Sequence, residues 1–448
     1  MSSVNDTRKI ERTEALAHSR AAVARVAQSP MPAKASQADA ANSKRKPNII
    51  LMVADDLGYG DLSCYGCDDI STANIDALAS QGVRFTQSYV ASPICSPARV
   101  SMLTGKYPQR TSLPHLPNSK DPNDGLCPDE ITLADVLKHA GYATGMVGKW
   151  HLGYGPQFWP RRRGFDEFFG YLSGWADYIE HTYRNGERWM FRDDTQIDFP
   201  EGYLTDILTD EAECYIERHS HHPFFLYLPY NAPHGPLVAP DGTRAKTRVV
   251  YRAIVENFDQ NVGRVMRKLK DTGLEEDTFV IFISDNGADE PPAPGSNLNL
   301  RGGKSTVWEG GIRTPFIAKW PGHIRPGTSV DEPIISMDVF NTIAAVGKAS
   351  VPAGAGIDGK DTLGVMQGKE KSPHGHLFWS FANQFAVRHG KWKLVVAGIA
   401  ESRLYDVDSD PAEKRDLAPE NAEIVKDLAA KLEDWRRDIG KGLVSSSA

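Results

Sequence analysis

The chain is expected to fold as an α/β protein: a large, mostly parallel sheet sandwiched by helices, then a smaller C-terminal antiparallel sheet with one helix. Three observations predict this. Pro47–Ala54, Phe224–Tyr230 and Thr278–Ser284 are short continuous apolar runs, the pattern of strands buried on both faces. Helical stretches fall between such runs, as crossovers between parallel strands require. From about Pro373 the texture changes to short segments turned at His389-Gly390, which reads as antiparallel.

Residues 1–46 are rich in Ala, Ser, Lys and Arg and read as a disordered tail. The α/β domain is expected over residues 47–372. Its first strand ends at Asp55-Asp56, and a helix over Thr72–Gln81 follows, capped by Thr72 or Asn74. Val83–Val90 alternates weakly and reads as a strand; Ala98–Thr104 reads as helical. A helix over Thr132–His139 stops near Gly141, and Tyr142–Val147 is a strand. Phe158–Tyr203 is aromatic, charged and irregular, an insertion or long loop over the sheet's edge. Val249–Lys270 is a long amphipathic helix. The unit over residues 373–448 holds strands at Leu377–Ser380, Ala386–Val396 and Arg403–Val407 and a closing helix over Asn421–Asp438.

Composition excludes several functions. With 448 residues, 40% hydrophobic and 24% charged, the chain can bury a large core. A net charge of −7 without a long basic run gives no nucleic-acid surface, and no apolar segment reaches membrane-spanning length. Five Cys, at 64, 67, 95, 127 and 214, are too few and too odd for a disulfide framework; the single C-x-x-C at Cys64–Cys67 sits in a turn-like context and reads as coincidence. No clear signal peptide is present, because ALAHSRAAVARVA is broken by Arg20 and Arg25, although Ala33-Lys34-Ala35 leaves an unusual export signal open.

Four apolar runs stop at polar clusters: Asp55-Asp56, Lys149 with His151, His234, and Asp285-Asn286. Singly, each has an ordinary reading as a turn, a solvated lysine or a structural histidine. Together, at strand ends of one parallel sheet, they converge on one edge, where open α/β sheets bind ligands. Asp55, Asp56, Asp285 and Asn286 supply oxygens and no thiolate, which points to calcium or magnesium over zinc. Three neighbouring carboxylates without a cation would raise one another's pKa.

Ser92–Arg110 is the most informative stretch. Cys95, Pro97 and Arg99 are spaced C-x-P-x-R where the helical residues begin, so Cys95 lies at or before a helix N-terminus that favours an anion. Pro97 suits a first turn, and Arg99 adds a forked donor. From these three residues alone, a buried structural cysteine is the simpler reading.

The longer string CSPARVSMLTGKYPQR resembles the signature of the type I, formylglycine-dependent sulfatases of the alkaline phosphatase superfamily. DDLGYGD resembles their segment with paired metal-binding aspartates, GKWHLG their lysine–histidine segment, and APHGP the site of a second histidine. SDNG resembles the remaining metal ligands, and RGGKSTVWEGGIRTP the last signature, with its lysine at Lys304. The resemblance runs from about Pro47 to Pro315, with DPAEKRDLA near the C-terminus also familial. Ala73 departs from a usual Pro, outside the chemistry.

The resemblance implies that a modification enzyme converts Cys95 to formylglycine. It implies one divalent cation on Asp55, Asp56, Asp285, Asn286 and the converted Cys95. Lys304 and His234 would hold the sulfate, His151 would take a proton from residue 95, and Arg99 and Lys149 would orient it. The three acids and three bases cancel, so the cation leaves two positive charges to draw in a sulfate monoester. Family analogy implies a periplasmic or secreted protein, while the sequence shows no clear signal peptide, so localisation stays open. The substrate is expected to be a sulfated small molecule or glycan, with a carbohydrate sulfate favoured. Arg161, Arg162, Arg163, Trp175 and Trp189 are candidates to grip a sugar, and His115 to enter the pocket. The competing readings are a phosphatase or phosphonate monoester hydrolase of the same superfamily and a non-catalytic sulfated-glycan-binding protein.

Overall fold

The computed structural model describes residues 46–198, 201–290, 293–397 and 401–444; the expected N-terminal tail lies outside them except for Lys46. At the centre of a ten-stranded sheet is β1 (Asn48–Asp55). It pairs in parallel with β8 (Phe224–Pro233) and β9 (Thr278–Ser284). Beyond β8 lie β4 (Ala143–Lys149) and β5 (Glu167–Tyr171), still parallel. In sheet order, β11 (Thr328–Val330), β2 (Val83–Phe85) and β10 (Phe316–Lys319) precede β9-β1-β8-β4-β5, and β6 (Met190–Arg192) and β7 (Thr195–Gln196) follow. The sheet's antiparallel additions are β10 against β9 and, at the far edge, β6 and β7. The other edge is β2 and β11.

The apolar runs are continuous because each strand feeds two cores. Side chains alternate between the faces of a strand. Ile49, Leu51 and Val53 enter one core; Ile50, Met52 and Ala54 enter the other. The long helix Arg248–Asp271 covers the second core with Val250, Ile254, Phe258, Val262, Val265 and Leu269.

Three expectations change. Phe158–Tyr203 is not only a loop over the edge: it contributes β5, β6 and β7 to the sheet itself. The Val83–Val90 segment splits, because Ser88–Tyr89 (β3) leaves the main sheet to pair with Ile334–Ile335 (β12). Thr72 holds the N-cap position of the helix Ala73–Ser80, but its side chain makes no capping bond; instead Asp259 of the long helix accepts the Asn74 and Ile75 backbone N–H groups, at 3.0 and 2.8 Å. A helix over Leu204–Arg218, unassigned from sequence, buries Leu204, Ile207, Leu208, Ala212, Tyr215 and Ile216 at helical spacing.

The C-terminal sheet is antiparallel in chain order: β13 (Leu377–Phe381), β14 (Gln384–His389), β15 (Trp392–Ala397) and β16 (Glu401–Asp406), with the helix Ala422–Val444. It is fastened to the loop that carries Lys304. Val307 N–H donates to Gln384 Oε1 at 3.2 Å, and Arg301 Nη1 donates to the Glu413 carbonyl at 3.1 Å. Beneath them Lys393 Nζ, fully buried, lies 2.9 Å from Glu309 Oε1 and 3.0 Å from Glu413 Oε1, and Glu413 Oε2 accepts the Glu309 N–H at 2.8 Å.

Lys393 serves two carboxylates unequally. Burial would raise Glu309, yet Lys393, Arg313 and Arg388 hold it at about 2; burial pushes Glu413 up to about 7 against Lys393. A carboxyl raised from 4.5 to about 7 binds more protons folded than unfolded. Its contribution to stability is therefore complete below the unfolded value and is lost as pH rises through that window. Replacing Glu413 by Gln is expected to flatten the fall in Tm between pH 4.5 and 7 by a few degrees, read by thermal unfolding across pH.

Candidate active site

The parallel register brings the polar strand ends level. Ala54 pairs with Ser284, and Asp285 N–H donates to the Ala54 carbonyl at 3.1 Å, so Asp55-Asp56 and Asp285-Asn286 stand side by side. Successive strand residues point to opposite faces. A left-handed Asp56, φ 64, breaks that alternation, and aspartate tolerates the conformation better than most residues. His151 turns the same way, φ 58, just after β4. Cys95 is the first residue of a buried helix, Cys95–Thr104, as expected.

The site has a closed floor. Asp55, Asp285, Arg99 and Lys149 are fully buried. Lys149 Nζ donates to both Asp55 oxygens at 2.8 and 2.7 Å, and Arg99 donates to Asp285 Oδ2 through Nε and Nη2 at 3.0 and 2.7 Å. Arg99 Nη2 also reaches Asp55 Oδ1 at 3.4 Å. Above the floor, Asp56 accepts from Asn286 Nδ2 at 2.7 Å and Lys304 Nζ at 2.6 Å, with His234 Nε2 3.5 Å away. The Lys304 and His234 side chains are 15% and 17% exposed, so the site opens on their side.

Burial and charge set the protonation states. Burial opposes ionisation of Asp55, but Lys149, His234 and Arg99 hold it well below the usual range; Asp56 is lowered by Lys304 and His234 against the same burial. Burial, with Asp55 and Asp56 adding to it, pushes Asp285 up to about 6 against Arg99. Burial lowers His151 well below an ordinary histidine, and Lys149 and Arg99 lower it further, so it is neutral and able to accept a proton. Burial also pushes the Cys95 thiol up to about 12: unmodified, it is a weak nucleophile at neutral pH.

A cation fits this donor set. Asp55, Asp56, Cys95 and His234 each present a ligand atom within 4.8 Å of the others. Asn286 Oδ1 is buried with no hydrogen-bond partner, an acceptor waiting for a positive charge. Asp285 stands nearby with its oxygens engaged by Arg99 and by the Asp56 N–H, the latter at 3.1 Å. His234, expected to hold the sulfate, stands in the acidic cluster, its Nε2 3.5 Å from Asp56.

A model of the family described as "Sulfatase" matches residues 47–349. The chain belongs to the sulfatase family. It is therefore a sulfuric ester hydrolase by family. A second model, "N-sulphoglucosamine sulphohydrolase, C-terminal", matches residues 303–438 of this sulfatase. N-acetylgalactosamine-6-O-sulfatase of Bacteroides thetaiotaomicron is 31% identical, over 89% of this sulfatase and 94% of that protein. N-acetylgalactosamine-6-sulfatase of Sus scrofa is 40% identical over 71% of this chain, which spans 66% of the pig protein's length. The crystal structure of Ps i-CgsB in complex with k-i-k-neocarrahexaose superposes with a TM-score of 0.82 at 32% identity, covering 87% of this sulfatase and 93% of that chain.

Among the loop candidates, the structure separates support from surface. Arg163 is buried and donates to the Pro128 and Glu130 carbonyls, both at 2.6 Å, so it holds its loop and cannot grip a sugar. Arg161 and Arg162 lie 4.0 and 3.7 Å from Asp194. Trp189 packs on Tyr154, ring centroids 5.5 Å apart. His115 is exposed and bonded to Asp124 at 2.9 Å.

Two supporting residues escaped the sequence reading. Asp61, the last acid of DDLGYGD, is fully buried and accepts from Gly58 N–H, Ser296 N–H, Tyr251 Oη and Arg248, the last at 2.6 Å; it ties the Asp55-Asp56 loop to the loop before Lys304. The motif itself was the available signal. Gly174 had none: a Cβ there would sit 2.6 Å from His151 Cε1 and Nε2. Gly174→Ala is expected to displace the imidazole and cut kcat by about 10²-fold, with Tm little changed, read by steady-state sulfate release and thermal unfolding.

Proposed function

We propose that the protein hydrolyses a sulfate monoester on a carbohydrate, with Cys95 converted to formylglycine by a modification enzyme and one divalent cation bound beside it. The observation that carries this is the division around Cys95: a closed floor of balanced charges and an open rim of Lys304 and His234. The two N-acetylgalactosamine 6-sulfatases, at 31–40% identity, support the sugar.

Asp55, Asp56, Asp285 and Asn286, with residue 95, would hold Ca2+, or Mg2+ in its place, which supplies positive charge beside the sulfate when bound. Formylglycine, once hydrated, offers residue 95 the hydroxyl that a thiol lacks. Arg99 and Lys149 fix the floor on which residue 95 stands. Lys304, kept charged by Asp56 against its burial, and His234 line the opening and grip sulfate oxygens. One of the two protonates the departing sugar hydroxyl; neutral His151 takes the proton whose loss expels sulfate.

The test is a hydrolysis panel: 6-O- and 4-O-sulfated N-acetylgalactosamine, N-acetylglucosamine 6-sulfate, an aryl sulfate, and the matching sugar phosphates. Sulfate release from a sugar, faster than from the aryl ester or than phosphate release, is expected. Cleavage of the aryl sulfate or the phosphates alone would overturn the carbohydrate reading.

A further inference from the structure

Next to His151 lies a shelf that the sulfate chemistry does not use. The chain leaving β5 passes Gly174 against the His151 ring and presents Trp175, half-buried, as the following residue. Trp175 packs on half-exposed Tyr183, ring centroids 5.0 Å apart, and the Arg184 guanidinium lies 5.7 Å from the centre of the Tyr183 ring.

The shelf is braced from behind. Ser173 Oγ donates to the Trp175 carbonyl at 2.8 Å, and Asp177 N–H to the Thr182 carbonyl at 2.9 Å. Tyr183 N–H donates to the Glu187 carbonyl at 2.6 Å, closing a turn with Arg184 at its tip. Arg244, from the loop after β8, pairs with Asp177.

The charges differ along this loop. Arg188 faces Asp198 at 3.5 Å, and Glu187 is taken by Trp189 Nε1 at 3.1 Å. Arg184 is exposed and has no carboxylate within ion-pair distance among the described residues. An aromatic face beside an unpaired guanidinium suits a sugar ring that carries an anionic group.

Resting on the carbohydrate-sulfate reading, we propose that Trp175, Tyr183 and Arg184 form a subsite for the sugar adjoining the sulfated one, Arg184 binding its carboxylate or sulfate. The preferred substrate is then an anionic oligosaccharide and not a lone sulfated monosaccharide.

The test compares 6-O-sulfated N-acetylgalactosamine with a tetrasaccharide in which that residue is flanked by uronic acid. For the wild type, a lower KM for the tetrasaccharide is expected. Arg184→Ala should raise KM for the tetrasaccharide about 10-fold more than for the monosaccharide, the value of one charge-assisted contact, and Trp175→Ala should act in the same direction. Arg184→Lys should recover part of the loss. Equal effects on both substrates, or none on the tetrasaccharide, would overturn the subsite while leaving the carbohydrate reading intact. Failure of the wild type on both sugars, with an aryl sulfate cleaved, overturns that reading and the subsite with it.

Discussion

A Cys95→Ser chain is expected to accept one sulfate and then stop, with kcat lowered by about 10⁴-fold or more. The serine keeps the position at the helix start and the floor of Arg99 and Lys149 beneath it. Its Oγ can form a bond to sulfur as the sugar oxygen leaves. The resulting ester has no second hydroxyl whose deprotonation, to His151, would expel sulfate. Intact mass after incubation with a sulfated sugar should show a single covalent sulfate, and a peptide map should place it at residue 95. Steady turnover by this variant would remove the need for a modified residue.

Asp55→Asn is expected to cost both activity and stability. Asp55 alone takes both hydrogen bonds of Lys149 and a 3.4 Å contact from Arg99, all without exposure. An amide leaves a buried ammonium half-compensated, a loss of about 3–5 kcal/mol for a buried pair broken on one side. It also removes a carboxylate from the cation's donor set. Denaturant unfolding should show the lowered midpoint, and sulfate release should fall to background. Adding Lys149→Met to Asp55→Asn should return part of the stability and none of the activity, because the uncompensated charge goes but the site stays broken.

The parts of the fold that were legible share one physical property. β1, β8 and β9 sit between two cores, so between their polar ends they run apolar on both faces and announce themselves without periodicity. β5, β6 and β7 did not, because strands of only two to five residues toward the sheet's edge, with Glu167, Arg192 and Gln196 among them, look like loop. The antiparallel entry of β10 beside β9 is a pairing choice that local sequence does not encode.

The candidate site divides in the same way. Asp55, Asp56, Asp285 and Asn286 were readable because strand ends of a parallel sheet meet on one edge, and the register brings them level as expected. What could not be read is how the charges are shared: Lys149 goes to Asp55, Arg99 chiefly to Asp285 and Lys304 to Asp56. That sharing is a property of packing between residues 94 to 248 positions apart in the chain. Arg163 looked like its neighbours Arg161 and Arg162 in sequence, and only the fold turns it inward to the Pro128 and Glu130 carbonyls.

The most direct test of the central claim follows inorganic sulfate and inorganic phosphate released from the sulfate and phosphate monoesters of one sugar. The protein used is wild type, with conversion of residue 95 established by its mass, lower by roughly 18 Da. Multiple turnovers of sulfate, far faster than phosphate, are expected. Converted protein with its cation bound that frees phosphate and leaves the sulfate ester untouched would contradict it.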